Sequence, residues 1–368
     1  MIRLLIVDDS ALMRRHLKQI FEAEGDFDLD VARNGLEAIE RARSFDPDVI
    51  LLDINMPEMD GLTALSMLMA EKPRPVVMFS SLTEQGAMAS LEAMALGAVD
   101  FFPKPGGTIS LNIDRARDPL IAKVRAAASA RLKKGDTRQE TARENPSAPA
   151  ALSLSATAVD AQPREGLVLI GSSTGGPRTL EDVLAPLPAN YPFPVVVAQH
   201  MPGNFTRAFA ERMNNLTALT VVEVSRPMPL EAGRVYIAMG GGDVCISRRA
   251  GKPYVLPRPE TAGYAWHPSV SLLVDTALSH YPASQLMGVM LTGMGHDGAE
   301  EMAELKRRGG RTLAESKESA VIFGMPAELI RRGGAGEILH AKDIAATLIK
   351  WCAPYSLSLR GQCDGTDS

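Results

Sequence analysis

The sequence predicts an α/β protein made of two doubly wound parallel-sheet domains, of which the second is the larger. Its 368 residues exceed the about 100 to 200 residues of a typical domain, which indicates more than one folded unit. Strand-like apolar runs alternate with helical patterns on both sides of a segment that lacks large apolar residues. We therefore expect a first domain over 1–125, a linker over 126–165, a second domain over 166–353 and a polar C-terminal tail over 354–368.

The first domain is predicted to contain five strands in alternation with helices. Apolar runs indicate strands at 2–7, 29–32, 49–52, 76–80 and 99–102. Helical periodicity is expected over 10–24, 36–42, 62–70 and 85–96, with a last helix that begins near Pro119. This alternation requires right-handed crossovers and gives a parallel sheet, whose sites lie beyond the carboxyl ends of its strands.

The second domain repeats the same pattern. Strands are expected at 167–171, 195–199, 219–224, 235–238, 288–292 and 310–314, with helices near positions 178, 206, 269, 299 and 326. Two further runs, 244–247 and 252–256, flank a turn at 249–251 and predict a β-hairpin.

Composition excludes several classes of protein. The 39 Lys and Arg against 44 Asp and Glu give a formal charge of -5, so no positive field would attract nucleic acid. No apolar run approaches the roughly 18 residues that span a bilayer, and the N-terminus lacks a signal-peptide pattern. We therefore expect a cytoplasmic protein without membrane insertion. Cys245, Cys352 and Cys363 show no Cys-x-x-Cys spacing, which predicts neither a disulfide framework nor a zinc site.

Charged and hydroxyl side chains close the strands of the first domain, namely Asp8, Asp9, Asp53, Ser80 and Lys104. Carboxylates crowded at one sheet edge repel one another unless a hard divalent cation neutralises them, so they predict an Mg²⁺ site. One carboxylate could then attack a phosphoryl group while a lysine offsets the added charge. A single strand-end aspartate is usually a cap or a turn former, but three aspartates together with a serine and a lysine at one edge argue against that interpretation.

Together with the run 56–61 (MPEMDG) and Pro105, these residues resemble the receiver domain of two-component response regulators over about residues 1–125. The resemblance implies a flavodoxin-like domain that a sensor histidine kinase phosphorylates on Asp53. It implies that Ser80 and Lys104 contact the phosphoryl group. It further implies that Mg²⁺ is held by Asp8, Asp9, Asp53 and the backbone carbonyl of Asn55.

Three segments of the second domain bring a hydroxyl, an imidazole and a carboxylate to strand ends. Ser173 lies in the 171–176 turn (GSSTGG) between a strand and a helix, close to helix N-terminal amides. His200 follows the next strand, and Asp297 lies in the 291–298 loop (LTGMGHDG). We expect Ser173 to attack, His200 to move the proton and Asp297 to orient the imidazole. Glycines on either side let the chain approach closely at Met294, whose N–H is the candidate oxyanion donor.

Other interpretations of these segments remain open. The 171–176 turn is also typical of an anion-binding loop or a helix cap, and His267 and His296 compete with His200 for a catalytic role. Residues 293–298 fit the dinucleotide fingerprint G-x-G-x-x-G, with Glu315 after the next strand. The second hypothesis is therefore a receiver fused to a non-catalytic dinucleotide- or ligand-binding signalling module. It leaves Ser173 and His200 unexplained.

Six motifs of the second domain resemble the chemotaxis protein-glutamate methylesterase (CheB) family over about 166–350: IGSSTGGP (170–177), QHMP (199–202), VYIAMGG (235–241), HPSV (267–270), LTGMGHDGA (291–299) and FGMP (323–326). The resemblance implies a Rossmann-like domain that hydrolyses glutamyl methyl esters, and deamidates glutamines, on methyl-accepting chemoreceptors without a cofactor. Its implied site comprises Ser173 as nucleophile, His200 as base, Asp297 as triad acid, Met294 as amide donor and Thr174 beside the nucleophile. The chain departs from the family at His296, where Asn is usual, and at Ser271, where Asp is usual.

Overall fold

Two parallel β-sheets, each covered by helices on both faces, organise residues 1–81, 83–104, 109–131 and 166–357, the part of the chain that the computed structural model describes. The apolar side chains of successive strand residues point to opposite faces of each sheet. In the first sheet, Leu4 and Ile6 join one core cluster, whereas Leu5 and Val7 join another. The predicted fold class, two doubly wound α/β domains, is confirmed.

The first sheet has the order β2-β1-β3-β4-β5, and all its neighbouring strands are parallel. Its strands are β1 (Ile2–Val7), β2 (Phe27–Ala32), β3 (Val49–Asp53), β4 (Val76–Ser80) and β5 (Asp100–Pro103). Its helices are α1 (Ala11–Glu22), α2 (Gly35–Phe45), α3 (Gly61–Glu71), α4 (Glu84–Leu96) and α5 (Ile109–Ala128). The chain leaves β1 and β3 toward opposite edges of the sheet, so a crevice lies between the carboxyl ends of these two strands.

Helix α5 begins at Ile109, and the prediction that it begins near Pro119 is wrong. A proline is favoured at a helix start, and in a helix interior it costs about 3 kcal/mol because it lacks an N–H donor. Leu120 and Val124 are at most 1% exposed and pack in the core with α1 and β1. This packing offsets the cost of the interior proline.

The second sheet has the order β15-β14-β13-β6-β7-β10-β8, again with all neighbours parallel. The strands of the second domain are β6 (Leu167–Ser172), β7 (Val195–Gln199), β8 (Thr220–Val224), β9 (Met228–Pro229), β10 (Arg234–Ala238), β11 (Asp243–Arg249), β12 (Lys252–Arg258), β13 (Leu286–Met290), β14 (Arg311–Glu315) and β15 (Glu337–Leu339). Its helices are α6 (Gly176–Leu184), α7 (Gly203–Leu216), α8 (Val270–His280), α9 (Ala299–Arg307), α10 (Met325–Arg331) and α11 (Ala341–Leu357), with a 3₁₀ turn at Ala283–Gln285. The predicted hairpin is confirmed as β11 and β12, which lie beside β9 in a small antiparallel sheet.

The boundaries of the two domains stay predictions. Helix α5 continues beyond position 125, and α11 continues beyond position 353. Most of the predicted linker, 132–165, and the end of the predicted tail, 358–368, lie outside the described residues. Cys245 and Cys352 are buried free thiols, and Cys363 lies outside the described residues. No helix in the described ranges is long and apolar enough to cross a membrane.

Candidate active site and phosphorylation site

The carboxyl edge of the first sheet brings the predicted carboxylates together. Asp8, Asp9 and Asp53 each offer an oxygen, and these oxygens lie within 4.8 Å of one another. Asp8 and Asp53 are buried, whereas Asp9 is exposed. Carboxylate oxygens at this spacing are a donor set that suits a hard divalent cation.

Lys104 bridges the two buried carboxylates of this edge. Its Nζ lies 2.7 Å from Oδ2 of Asp8 and 2.8 Å from Oδ2 of Asp53. Burial raises the pKa of Asp53 to about 6; the ammonium of Lys104 opposes this effect and the charge of Asp8 adds to it. Burial alone would lower the pKa of Lys104, but the charges of Asp53 and Asp8 outweigh it and the pKa is raised. Lys104 therefore stays cationic beside both carboxylates.

Two further predicted residues border this edge. The amide of Asn55 donates to Oδ1 of Asp53 at 3.3 Å, so the backbone of Asn55 lies beside the Asp53 carboxylate. Ser80 is fully buried at the end of β4, and its hydroxyl donates to the carbonyl oxygen of Gly86 at 3.0 Å. The Ser80 hydroxyl is therefore bound to the first turn of α4.

The 171–176 turn holds Ser173 at the carboxyl end of β6. The Ser173 amide donates to the carbonyl oxygen of Thr292 at 3.0 Å, and the Ser173 carbonyl accepts from the Gly176 amide at 2.8 Å. The Nε2 group of Gln199 also donates to the Ser173 carbonyl, at 2.9 Å, and its Oε1 accepts from the Ser172 hydroxyl at 2.7 Å. Gln199 thus holds the turn that presents Ser173. Sequence reasoning gave Gln199 no role, although it directly precedes His200.

His200 and Asp297 form a hydrogen-bonded pair next to this turn. Nε2 of His200 lies 2.9 Å from Oδ2 of Asp297, and the two side chains are only 10% and 3% exposed. The other ring nitrogen, Nδ1, is buried and has no hydrogen-bond partner among the described residues. An imidazole that donates from Nε2 presents Nδ1 as an acceptor. The Nδ1 atom of His200 can therefore accept a proton, as a general base must.

The N-terminus of α8 supplies donors that hold Asp297. The amides of Val270 and Ser271 donate to its carboxylate at 2.7 and 3.0 Å, and the Ser269 hydroxyl donates at 3.2 Å. A helix N-terminus carries a partial positive charge that favours an anion. Burial alone would raise the pKa of Asp297, but the hydrogen bond and charge of His200, followed by these amides, outweigh it and the pKa is lowered. Asp297 therefore stays ionised and can stabilise an imidazolium.

The 291–298 loop runs past Ser173. A Cβ atom added at Gly293 would lie 2.7 Å from the Cβ of Ser173, so only glycine permits this approach. The Gly293 amide is already bound to the carbonyl oxygen of Ile322 at 3.0 Å. The next amide of the loop, that of Met294, is therefore the better candidate for an oxyanion donor.

The two competing histidines have other partners. Nδ1 of His267 lies 3.0 Å from Oδ2 of the buried Asp243, and the exposed His296 packs edge-on against Trp266. Of the three histidines, His200 is the one that pairs with Asp297. Ser271 stands where the family usually has Asp. Its hydroxyl donates to Oε2 of Glu301 at 2.7 Å and accepts from the Gly298 amide at 2.9 Å.

Two residues that the dinucleotide hypothesis requires, Gly298 and Glu315, have structural roles instead. A Cβ atom at Gly298 would lie 2.2 Å from the side chain of Val270, so this glycine serves close packing onto α8. Glu315 is fully buried and accepts from the Thr292 amide at 2.7 Å and from the Ser319 hydroxyl at 2.8 Å. The carboxylate that this hypothesis assigns to a ribose is thus part of the protein interior.

The first domain contacts the turn that carries Ser173. Oδ2 of Asp100, in β5, accepts from the Thr174 hydroxyl at 2.6 Å and from Nζ of Lys123 at 2.7 Å. The ring of Phe101 stacks on Phe205 of α7 with 4.4 Å between centroids, and α4 packs against α6 and α7. Ser173 stays partly exposed beside this interface. Sequence reasoning missed Asp100 because nothing in the chain indicates which surfaces of two domains meet.

Comparison with known proteins identifies two families along the chain. The CheB methylesterase family matches residues 168–348, and the response regulator receiver domain matches residues 4–112. A protein-glutamate methylesterase/protein-glutamine glutaminase 3 from Rhodospirillum rubrum is 57% identical over 362 residues, which cover 95% of this chain and 96% of that protein. A protein-glutamate methylesterase/protein-glutamine glutaminase 2 from Rhodopseudomonas palustris is 51% identical over 359 residues, with 95% and 98% covered.

Two solved structures from Thermotoga maritima are similar to separate parts of the chain. The CheB methylesterase catalytic domain is 39% identical and covers 50% of this chain and 98% of its own, with a TM-score of 0.49. The CheB response regulator domain is 46% identical and covers 35% of this chain and 98% of its own, with a TM-score of 0.34.

Proposed function

This chain belongs to the CheB methylesterase family, and on that premise we propose that Ser173, His200 and Asp297 carry out its ester hydrolysis. With its receiver domain, it is a phosphorylation-regulated protein-glutamate methylesterase with protein-glutamine glutaminase activity. The observation that carries the site assignment is the largely buried His200–Asp297 pair at 2.9 Å, beside the turn that presents Ser173.

The proposed reaction uses one acyl-enzyme. The Ser173 oxygen attacks the ester carbonyl carbon while Nδ1 of His200 takes the hydroxyl proton, and Asp297 stabilises the imidazolium through Nε2. The Met294 amide donates to the developing oxyanion. Methanol leaves with the proton from His200, and a water then hydrolyses the acyl-enzyme to release a γ-carboxylate. A glutamine substrate follows the same route with ammonia as the leaving group.

The receiver domain implies divalent-metal-dependent phosphorylation by a kinase. We propose Asp53 as the phosphoacceptor and Mg²⁺ as the metal, which would neutralise the incoming phosphoryl charge when bound. Its proposed holders are Asp8, Asp9, Asp53 and the Asn55 carbonyl. Lys104 and Ser80 are the proposed phosphoryl contacts. Lys104 now binds both Asp8 and Asp53, so phosphorylation would redirect its ammonium.

Control by release is the proposed link between the two sites. The contact between Asp100 and Thr174 joins the receiver to the residue next to the nucleophile. Phosphorylation at Asp53 adds negative charge at the edge of the receiver sheet that also contains Asp100. It shifts the domains apart only if it stabilises the separated arrangement more than the arrangement in contact. We propose that the phosphorylated receiver leaves the esterase cleft.

The family also implies a kinase partner and chemoreceptor substrates. The finer assignment, which stays a proposal, is a sensor histidine kinase of a chemotaxis pathway and methyl-accepting chemoreceptors. The proposed units are a receiver over 1–125, a linker over 126–165, a methylesterase domain over 166–353 and a tail over 354–368.

Methanol release from methylated receptor membranes tests the proposed function. The purified protein should release methanol, and acetyl phosphate with Mg²⁺ should raise the rate. A parallel fluorescence titration with a nicotinamide or flavin cofactor tests the signalling-module alternative. Saturable tight binding of the cofactor without methanol release would favour that alternative and contradict the esterase.

A further inference from the structure

One aromatic side chain outside the proposed triad lies directly against it. The indole of Trp266 stacks on the His200 imidazole, with the rings 4° from parallel and their centroids 5.9 Å apart. It meets His296 edge-on at 5.0 Å. A Cβ atom at Gly295 would lie 2.8 Å from Cζ2 of the indole, so Trp266 also covers the backbone next to Met294. Trp266 thus contacts the proposed base and the loop of the proposed oxyanion donor.

The segment that carries Trp266 is held in place by a buried carboxylate. Asp243, which is 1% exposed, accepts from the Thr261 amide at 2.7 Å and from the Ser269 amide at 2.9 Å. These amides lie on either side of Trp266 in the chain. Nδ1 of His267, the next residue, lies 3.0 Å from the same carboxylate. The hydrogen bonds to Asp243 therefore fix the backbone on both sides of Trp266.

A stacked indole supplies two things that the triad lacks. Among the described residues, the imidazole of His200 makes one side-chain hydrogen bond, to Asp297, and a single hydrogen bond leaves the ring free to rotate about that bond. A parallel indole restricts the plane of the imidazole and so the direction of Nδ1. When His200 takes the proton, the imidazolium also lies within the about 6 Å at which an indole face attracts a cation.

We propose that Trp266 is a positioning residue that aims His200 and stabilises its imidazolium form in the ester reaction. The attraction exists only once the imidazole is protonated, so it favours the transition state over the bound substrate and acts on kcat. Cation–π energies of about 0.5 to 2 kcal/mol correspond to roughly 2- to 30-fold in rate. This inference rests on the proposed triad.

Substitutions of the two tryptophans of the chain test the proposal in the full-length protein. Trp266→Leu should lower kcat for methanol release by about 2- to 30-fold with KM nearly unchanged. Trp266→Phe should recover most of the loss, because it restores an aromatic face. Trp351→Leu is the matched control, since Trp351 lies on α11 and packs with Arg311. This control should keep the wild-type kcat, and acetyl phosphate should still phosphorylate all three variants if they are folded.

The outcomes separate this inference from the proposed function. A wild-type kcat in Trp266→Leu, a change in KM alone, or equal loss in Trp266→Phe and Trp266→Leu would overturn the role of Trp266. None of these results affects the triad, because Ser173→Ala in the same assay tests it independently. If Ser173→Ala keeps its activity, the proposed function fails and the role of Trp266 fails with it.

Discussion

Asp100→Ala should activate the unphosphorylated enzyme. This substitution removes the carboxylate that accepts the Thr174 hydroxyl at 2.6 Å across the domain interface. Hydrogen bonds to charged groups contribute about 1.5 to 3 kcal/mol, which is roughly a 10- to 150-fold change in the equilibrium between covered and released domains. The resting rate should rise by up to that factor, with the rate of the phosphorylated protein as its ceiling.

The assay is methanol release from methylated receptor membranes, first without a phosphodonor and then with acetyl phosphate and Mg²⁺. The resting rate of Asp100→Ala should rise and its stimulation by acetyl phosphate should shrink by a similar factor. Asp26→Ala is the matched control, because Asp26 is a half-exposed receiver carboxylate that pairs with Arg125 of its own domain. Its resting rate and stimulation should be those of the wild type.

A resting rate in Asp100→Ala equal to that of Asp26→Ala, with full stimulation retained, would refute the reasoning. The contact with Thr174 would then not hold the covered arrangement. Asp100→Ala also removes the ion pair with Lys123. The side chain of Lys123 is 22% exposed and its ammonium can be solvated, so the loss of this ion pair would not by itself activate the enzyme.

Three further predictions follow from the same structure. Asp53→Asn should prevent phosphorylation by acetyl phosphate and keep basal esterase activity, because Asp53 contributes no atom to the ester chemistry; stimulation of this variant by acetyl phosphate would mean that the acceptor lies elsewhere. A folded fragment over 166–354 should release methanol faster than the resting full-length protein and ignore acetyl phosphate, whereas a folded fragment that is no more active than the resting protein would contradict control by covering. Burial raises the pKa of Cys352 to about 11 and also raises that of Cys245, so little thiolate forms at pH 8; mass spectrometry after iodoacetamide should find both unmodified in the native protein and modified after denaturation, and rapid native labelling would contradict their burial.

The strand ends were predictable from the sequence because parallel sheets bring them to one edge. Ser173, His200 and Asp297 follow different strands, and each position can be read from an apolar run and the polar residue after it. The same rule brought Asp8 and Asp53 together. The rule therefore predicts which groups share a sheet edge, whereas the hydrogen bond between His200 and Asp297 needed the structure.

The supporting residues were not predictable in this way. Gln199 holds the turn that presents Ser173 through side-chain hydrogen bonds that no local pattern indicates. Trp266 stacks on His200 and Asp243 accepts from the Thr261 amide, and both are contacts between segments that are distant in the sequence. Pro119 misled the assignment of α5 because the rule for proline reflects a local cost, which the packing of the rest of the helix can offset.

The proposed catalytic unit itself is tested most directly by methanol release from variants that lack one or two of its members. Ser173→Ala should lose nearly all turnover with the fold intact, and Ser173→Ala combined with His200→Ala should lose no more, because residues that act as a unit are far from additive. Retention of most activity by Ser173→Ala, or a further loss in the double variant equal to that of His200→Ala alone, would contradict a shared Ser173–His200–Asp297 mechanism.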